Sequence, residues 1–135
     1  MQQKQSSTRS SAKDLHMMTN NEYQLRAHSF ADYTQPFVSK DGKKITVDYT
    51  YPALGLAEEA GEAAGKFAKA IRDNGGVIDG ERKEGIVKEL GDVLWMVAEL
   101  CTVLNVSVSE VMEKNISKLE SRRERGKIHG SGDNR

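Results

Sequence analysis

Apolar residues recur at helical spacing over three stretches of the chain. Leu56, Ala60, Ala63, Ala64, Phe67 and Ile71 stand three or four positions apart. That is one face of a helix turning ~100° per residue. Pro52 suits the first turn of this helix, and "DNGG" at 73–76 stops it. Ile86, Leu90, Val93, Leu94, Val97 and Cys101 mark a second such face, on a helix from about 81 to 104. Val111, Met112, Ile116 and Leu119 mark a third. Its helix opens with Ser107 and Glu110 in the capping-box pattern and ends near Gly126. "TNNE" at 19–22 has the same form and predicts a shorter helix over 20–33. Between these, "FVSKDGKKITV" sets Asp41-Gly42 among short alternating runs, which reads as a small hairpin or an ordered loop. Four helices with short connections predict an all-α, antiparallel helical bundle, completed by oligomerisation.

Composition sharpens the boundaries. The chain of 135 residues is enough for one domain with a modest core, placed here at 19–126. Residues 1–18 are rich in Gln, Ser and charge and read as a disordered leader, and residues 127–135 as a glycine-rich tail. The 20 basic and 20 acidic residues cancel, so net charge does not drive nucleic-acid binding. No apolar run reaches membrane-spanning length and no secretory h-region follows the N-terminus, so the cytoplasm is the expected location. Cys101 stands alone in an apolar run, far in sequence from His16, His28 and His129, and reads as a buried small hydrophobe.

The acids change the picture. "LAEEAGE" carries Glu59 and Glu62 three apart, and "KELGD" repeats the spacing with Glu89 and Asp92. On a helix, Glu59 lies roughly 100° from the centre of its apolar stripe and Glu62 ~60° further round. Glu89 and Asp92 repeat that offset. Two antiparallel helices packed stripe to stripe are related by a two-fold axis, so matched offsets fall on the same side of the pair. Four carboxylates therefore converge at one edge, with Glu58 close by. Converging carboxylates repel unless neutralised, and hard divalent cations, Mg²⁺ above all, are their natural partner. The competing reading is a solvated face, with Lys66 paired to Glu62 four residues before it. A di-iron site lacks its Glu-x-x-His pairs, and an EF-hand lacks its acid-rich loop.

The fourth helix offers the opposite charge. Asn115, Lys118 and Arg122 share one face, able to clamp a polyphosphate while the amide reads a polar group. A charged outer face paired with Glu110, Glu120 and Glu124 is the plainer alternative. Trp95 points away from the core stripe of its helix, towards another subunit or a base.

The two-part acid motif, "EEAGE" then "ELGD", with "LGDVLW" and "NISKLESRRERG", resembles the MazG-like branch of the all-α nucleoside triphosphate pyrophosphohydrolases over roughly residues 20–130. The resemblance implies Mg²⁺-dependent hydrolysis of a nucleoside triphosphate to the monophosphate and pyrophosphate, with Mn²⁺ able to substitute. It implies metal ligands at Glu59, Glu62, Glu89 and Asp92, with Glu59 or Glu62 also orienting the attacking water. Glu58 would lie behind the ligands or position the base. Lys118 and Arg122 would contact phosphate, beside Asn115. It also implies a homodimer or homotetramer with the site near a subunit interface. A purine such as dGTP is the expected substrate. The alternatives are a dUTPase-like member of the same superfamily and a helical interaction module without catalysis.

Overall fold

A computed structural model describes residues 17–32, 37–45, 49–130 and 132. The leader expected at 1–18 falls outside them apart from Met17 and Met18. The described chain is all-α, with four helices packed together and one minimal hairpin. Helix α1 spans Asn20–His28, α2 Thr50–Asn74, α3 Gly80–Val103 and α4 Val108–Glu124. Strands β1 (Phe37–Val38) and β2 (Lys44–Ile45) pair antiparallel between α1 and α2. Gly42, at φ 78°, supplies the left-handed residue of their turn.

The helix ends follow from their residues. The Thr19 hydroxyl accepts from the Glu22 amide at 3.2 Å, and the Glu22 carboxylate accepts from the Thr19 amide at 2.7 Å, a complete capping box. Helix α1 closes at His28, earlier than the expected 33, because the Phe30 and Ala31 amides donate three residues back, to Ala27 and His28. Asp79 caps α3 and Ser107 caps α4. At the end of α2 the Gly75 backbone turns left-handed, and both Gly75 and Gly76 donate to the Ala70 carbonyl.

Helices α2 and α3 form the main pair. Gly55 lies against Met96, Glu59 beside Asp92, and Lys66 beside Gly85 and Glu89. One set of positions rises as the other falls, so the helices run antiparallel, as the short turn at 75–79 requires. The face of α2 that is buried here differs from the expected stripe. Pro52, Gly55, Ala63 and Ala70 are buried, while Ala60, Ala64, Phe67 and Ile71 are exposed. On α3, Ile86, Met96, Ala98, Glu99 and Cys101 are buried, while Leu90 and Leu94 are exposed. Small residues let the two backbones approach closely, which turns the seam towards the acids and the large apolar side chains outward.

Helix α1 packs on α3, and α4 packs on α1 and α3. Gln24 fastens this corner. Its amide donates to the Val106 carbonyl at 3.0 Å and the Thr102 hydroxyl at 3.2 Å, and its carbonyl accepts from the Val108 amide at 2.8 Å. His28 Nδ1 lies 2.9 Å from the carboxylate of Glu99, whose side chain is 1% exposed. Cys101 is buried, as expected, and burial raises the pKa of its thiol. Among the described residues, no single helix is long and apolar enough to cross a membrane.

Candidate metal centre

The seam brings three of the four expected acids together. Glu59 from α2 and Glu89 and Asp92 from α3 each offer a carboxylate oxygen, all within 4.8 Å of one another. All three are half-buried. Each is placed by its neighbours in the seam: Glu59 stands one turn before buried Ala63, and Glu89 one turn after buried Ile86. Glu62 is exposed, one turn along α2. It is outside the three-oxygen cluster, but its charge still bears on Glu59. Burial first, then the carboxylates of Asp92, Glu62, Glu58 and Glu89, raise the pKa of Glu59 above its ordinary value. Glu58 is exposed and lines a shallow groove on α2 with Glu62 and Lys66.

This donor set fits a small hard dication. Octahedral Mg²⁺ holds oxygens at ~2.1 Å, which sets neighbouring ligands ~3 Å apart and opposite ones ~4.2 Å apart. The three carboxylate oxygens, within 4.8 Å of one another, would draw together to meet that spacing. All donors are oxygens and all carry charge, with no sulfur or imidazole to draw a softer metal.

Lys66 is the residue whose partner the sequence reading missed. Its Nζ lies 2.9 Å from Glu89 Oε1, across the seam rather than along its own helix to Glu62. The bond and charge of Glu89 raise the pKa of the Lys66 ammonium, with Glu62 adding to them. The signal was present in the spacing: Lys66 follows Glu59 by seven positions, so both stand on the same face of α2.

The cluster stands where two grooves meet. One, of about 460 Å³, runs between α2 and α3, and its lining includes Lys66, Lys69, Arg82, Lys88 and Glu89. The other, also about 460 Å³, runs between α1 and α3, and its lining includes Tyr23, Arg26, Phe30, Asp92 and Trp95. Trp95 therefore faces α1 of its own chain, and its buried Nε1 has no hydrogen-bond partner among the described residues. The Tyr23 hydroxyl donates to the Gly91 carbonyl at 3.5 Å. Burial, then Asp92 and Glu99, raise the pKa of the Tyr23 phenol.

The basic face of α4 is arranged differently from the acids. Asn115 and Lys118 are exposed, while Arg122 is buried and its Nη2 donates to the Gly132 carbonyl at 3.3 Å. The α4 backbone packs on α1 and α3 rather than on α2, which carries Glu59 and Glu62.

Acids from two antiparallel helices meet at one seam and make a candidate cation site on an all-α hairpin. Residues 50–126, more than half of the chain, match the MazG nucleotide pyrophosphohydrolase domain, and the chain belongs to that family. The matched segment begins with α2 and ends just after α4, so it holds every acid of the cluster. The chain is also 50% identical over 86 residues to the Gene 37 protein of Mycobacterium phage L5, covering 64% of this chain and 75% of that protein. No solved structure matches the chain significantly.

Proposed function

We propose that the protein hydrolyses a deoxynucleoside triphosphate to the monophosphate and pyrophosphate. The observation that carries this is the convergence of Glu59, Glu89 and Asp92 between two grooves, within a MazG nucleotide pyrophosphohydrolase domain. Glu59, Glu62, Glu89 and Asp92 would hold Mg²⁺, with Mn²⁺ able to substitute. The bound ion supplies positive charge that draws electron density from the phosphate and acidifies the attacking water.

The residues do the rest by position. Glu59, with Glu62 beside it, orients the water in line with the α-phosphorus and takes its proton. Glu58 holds the ligands from behind. The new bond forms between water oxygen and the α-phosphorus, and the bond to the bridging oxygen breaks. Pyrophosphate leaves with that oxygen and its electron pair, its charge balanced by cationic side chains. Lys118 and Arg122 are proposed among them, with Asn115 reading a polar group. Their shared helical face supports this role; Lys118 is exposed, and Arg122 would have to leave its bond to the Gly132 carbonyl to take part.

The base lies in the α1–α3 groove, against Trp95 and Phe30. A purine, dGTP first, offers these rings the larger stacking face. The exposed apolar side chains of α2, α3 and α4 support a homodimer or homotetramer, and a nucleotide substrate supports a cytoplasmic location.

Chromatography of the products decides the reaction. With Mg²⁺, at least one of the four deoxynucleoside triphosphates or dUTP is converted to monophosphate and pyrophosphate. Release of diphosphate and orthophosphate would place the cleaved bond wrongly. Exclusive action on dUTP would make the protein dUTPase-like. No turnover of any nucleotide, with no effect of Mg²⁺ on stability, would leave a helical interaction module.

A further inference from the structure

We infer that Lys66 couples the two ligands of this site: it opposes a metal ion bound alone and supports a metal ion bound together with a triphosphate, whose outer phosphates it contacts in the α2–α3 groove. The inference rests on the pyrophosphohydrolase reading above.

The geometry gives Lys66 two places to be. Its ammonium holds Glu89 Oε1 at 2.9 Å, with the Glu89 side chain 13% exposed and its own 39% exposed. That carboxylate is one of the three that converge. A dication drawn to the cluster meets an ammonium already bound to one of its ligands, and the two positive charges repel at short range. The groove beside Glu89 gives the ammonium somewhere to go. Gly85 forms the wall opposite Lys66, and a Cβ there would meet Lys66 Cδ and Nζ only at ordinary van der Waals distance, 4.0 Å. The groove offers other cations too, but two are engaged: Arg82 pairs with Asp79, and Lys88 lies 3.8 Å from Glu84. Lys66 and Lys69 are the cations that line both this groove and the shallow groove beside Glu58 and Glu62.

Charge sets the sign of each effect. With metal alone, the cluster gains positive charge and Lys66 is an added cost. With metal and a triphosphate, the ligand brings about four negative charges at neutral pH, and an ammonium within reach of its outer oxygens becomes favourable. One residue therefore acts in opposite directions on two binding steps. It would disfavour a metal-loaded site that lacks substrate and favour the ternary complex. A residue that only props the seam would move both steps the same way.

The test is calorimetry on the full chain as wild type, Lys66→Met and Lys66→Arg. Mg²⁺ is titrated alone, then inorganic tripolyphosphate is titrated at saturating Mg²⁺. The methionine variant should bind Mg²⁺ about threefold more tightly, the scale of an exposed ion pair. It should bind tripolyphosphate about tenfold more weakly, the scale of a hydrogen bond between charged groups. Arginine should restore the wild-type direction of both. Weakening of both steps, or no change in either, would overturn the inference. So would loss of helical circular dichroism in both Lys66→Met and Lys66→Gln, which would make Lys66 a structural residue. Inorganic tripolyphosphate is not a nucleotide, so failure to turn over any deoxynucleotide would strike the proposed reaction and leave the sign reversal to be judged by itself.

Discussion

On Glu59, burial and charge act in the same direction. Both raise its pKa above the ordinary 4.5, and four other carboxylates contribute after burial. The folded chain therefore still binds this proton at pH values where the unfolded chain has released it. For an acid shifted upward, stability is unaffected below the unfolded pKa and falls as pH rises towards the folded one. The metal-free protein should lose stability across that window, and Glu59→Gln should remove the loss. Melts of both proteins in chelator, from about pH 4 to pH 7, measure it. The glutamine variant should match wild type at the acid end and melt higher at the neutral end. A variant that melts lower than wild type at neutral pH would show that Glu59 is held by a favourable pairing. At neutral pH, Mg²⁺ should raise the melting temperature of wild type by mass action and that of Glu59→Gln far less.

At the scale of the element, the α2–α3 seam depends on small residues. A Cβ on Gly55 would stand 2.6 Å from Met96 Sδ, and Met96 is 2% exposed. Overpacking costs about 1–3 kcal/mol, against a helix-propensity gain of up to about 1 kcal/mol for replacing glycine by alanine. Gly55→Ala should therefore destabilise the protein by roughly 1 kcal/mol. Gly61→Ala, with nothing within 4 Å of the added atom, should stabilise it by up to about 1 kcal/mol. Thermal melts of the two variants in chelator make the comparison, and equal stability would show that Met96 yields freely. The seam also explains how far the sequence could be read. Helix number, the long helices and the Thr19 and Ser107 caps of α1 and α4 were legible, because capping residues and apolar spacing act locally. Glycines 75 and 76 announced the end of α2 for the same reason. The rotation of each helix was not legible. Counting large apolar residues puts Phe67, Ile71, Leu90 and Leu94 inside, but Gly55, Ala63 and Ala70 win the seam by allowing closer approach. The acids were legible as a doubled motif, and of the four expected to converge the seam groups Glu59, Glu89 and Asp92 and leaves Glu62 outside. The Lys66 bond to Glu89 and the Gln24 clasp depend on which helices meet, and spacing along one helix does not reveal that.

The whole molecule has two unlike sides. Phe67 and Ile71 on α2, and Val87, Leu90 and Leu94 on α3, are exposed large apolar residues. Both sets follow the seam positions by one residue, which is ~100° of helical rotation in the same sense. In an antiparallel pair such offsets share a side, so these residues form one apolar face. Glu62 and Asp92 are turned the other way, ~60° from Glu59 and Glu89, towards the side that α1 covers. An uncovered apolar face of this kind favours association with a second copy. Sedimentation velocity should find wild type as a dimer or tetramer, and Leu90→Glu combined with Leu94→Glu as a monomer of unchanged helical content. A wild type that sediments as a monomer at every concentration would assign the face to another partner.

The turn at 75–79 carries a consequence for how this chain tolerates change in length. It lies at the end of the hairpin away from the acids: Glu89 stands nine positions after Gly80 on α3, and Glu62 twelve positions before Asn74 on α2. At 1.5 Å of rise per residue, the nearer acid is roughly 14 Å from the turn. Residues added there lengthen a distal loop without altering which side chains meet across the seam. The register of the acids is set by Gly55 against Met96 and Lys66 against Gly85 and Glu89, whatever the loop contains. The two halves of the motif can therefore drift apart along the sequence while remaining fixed in space, and the turn is the place to graft a tag, a reporter or a second domain.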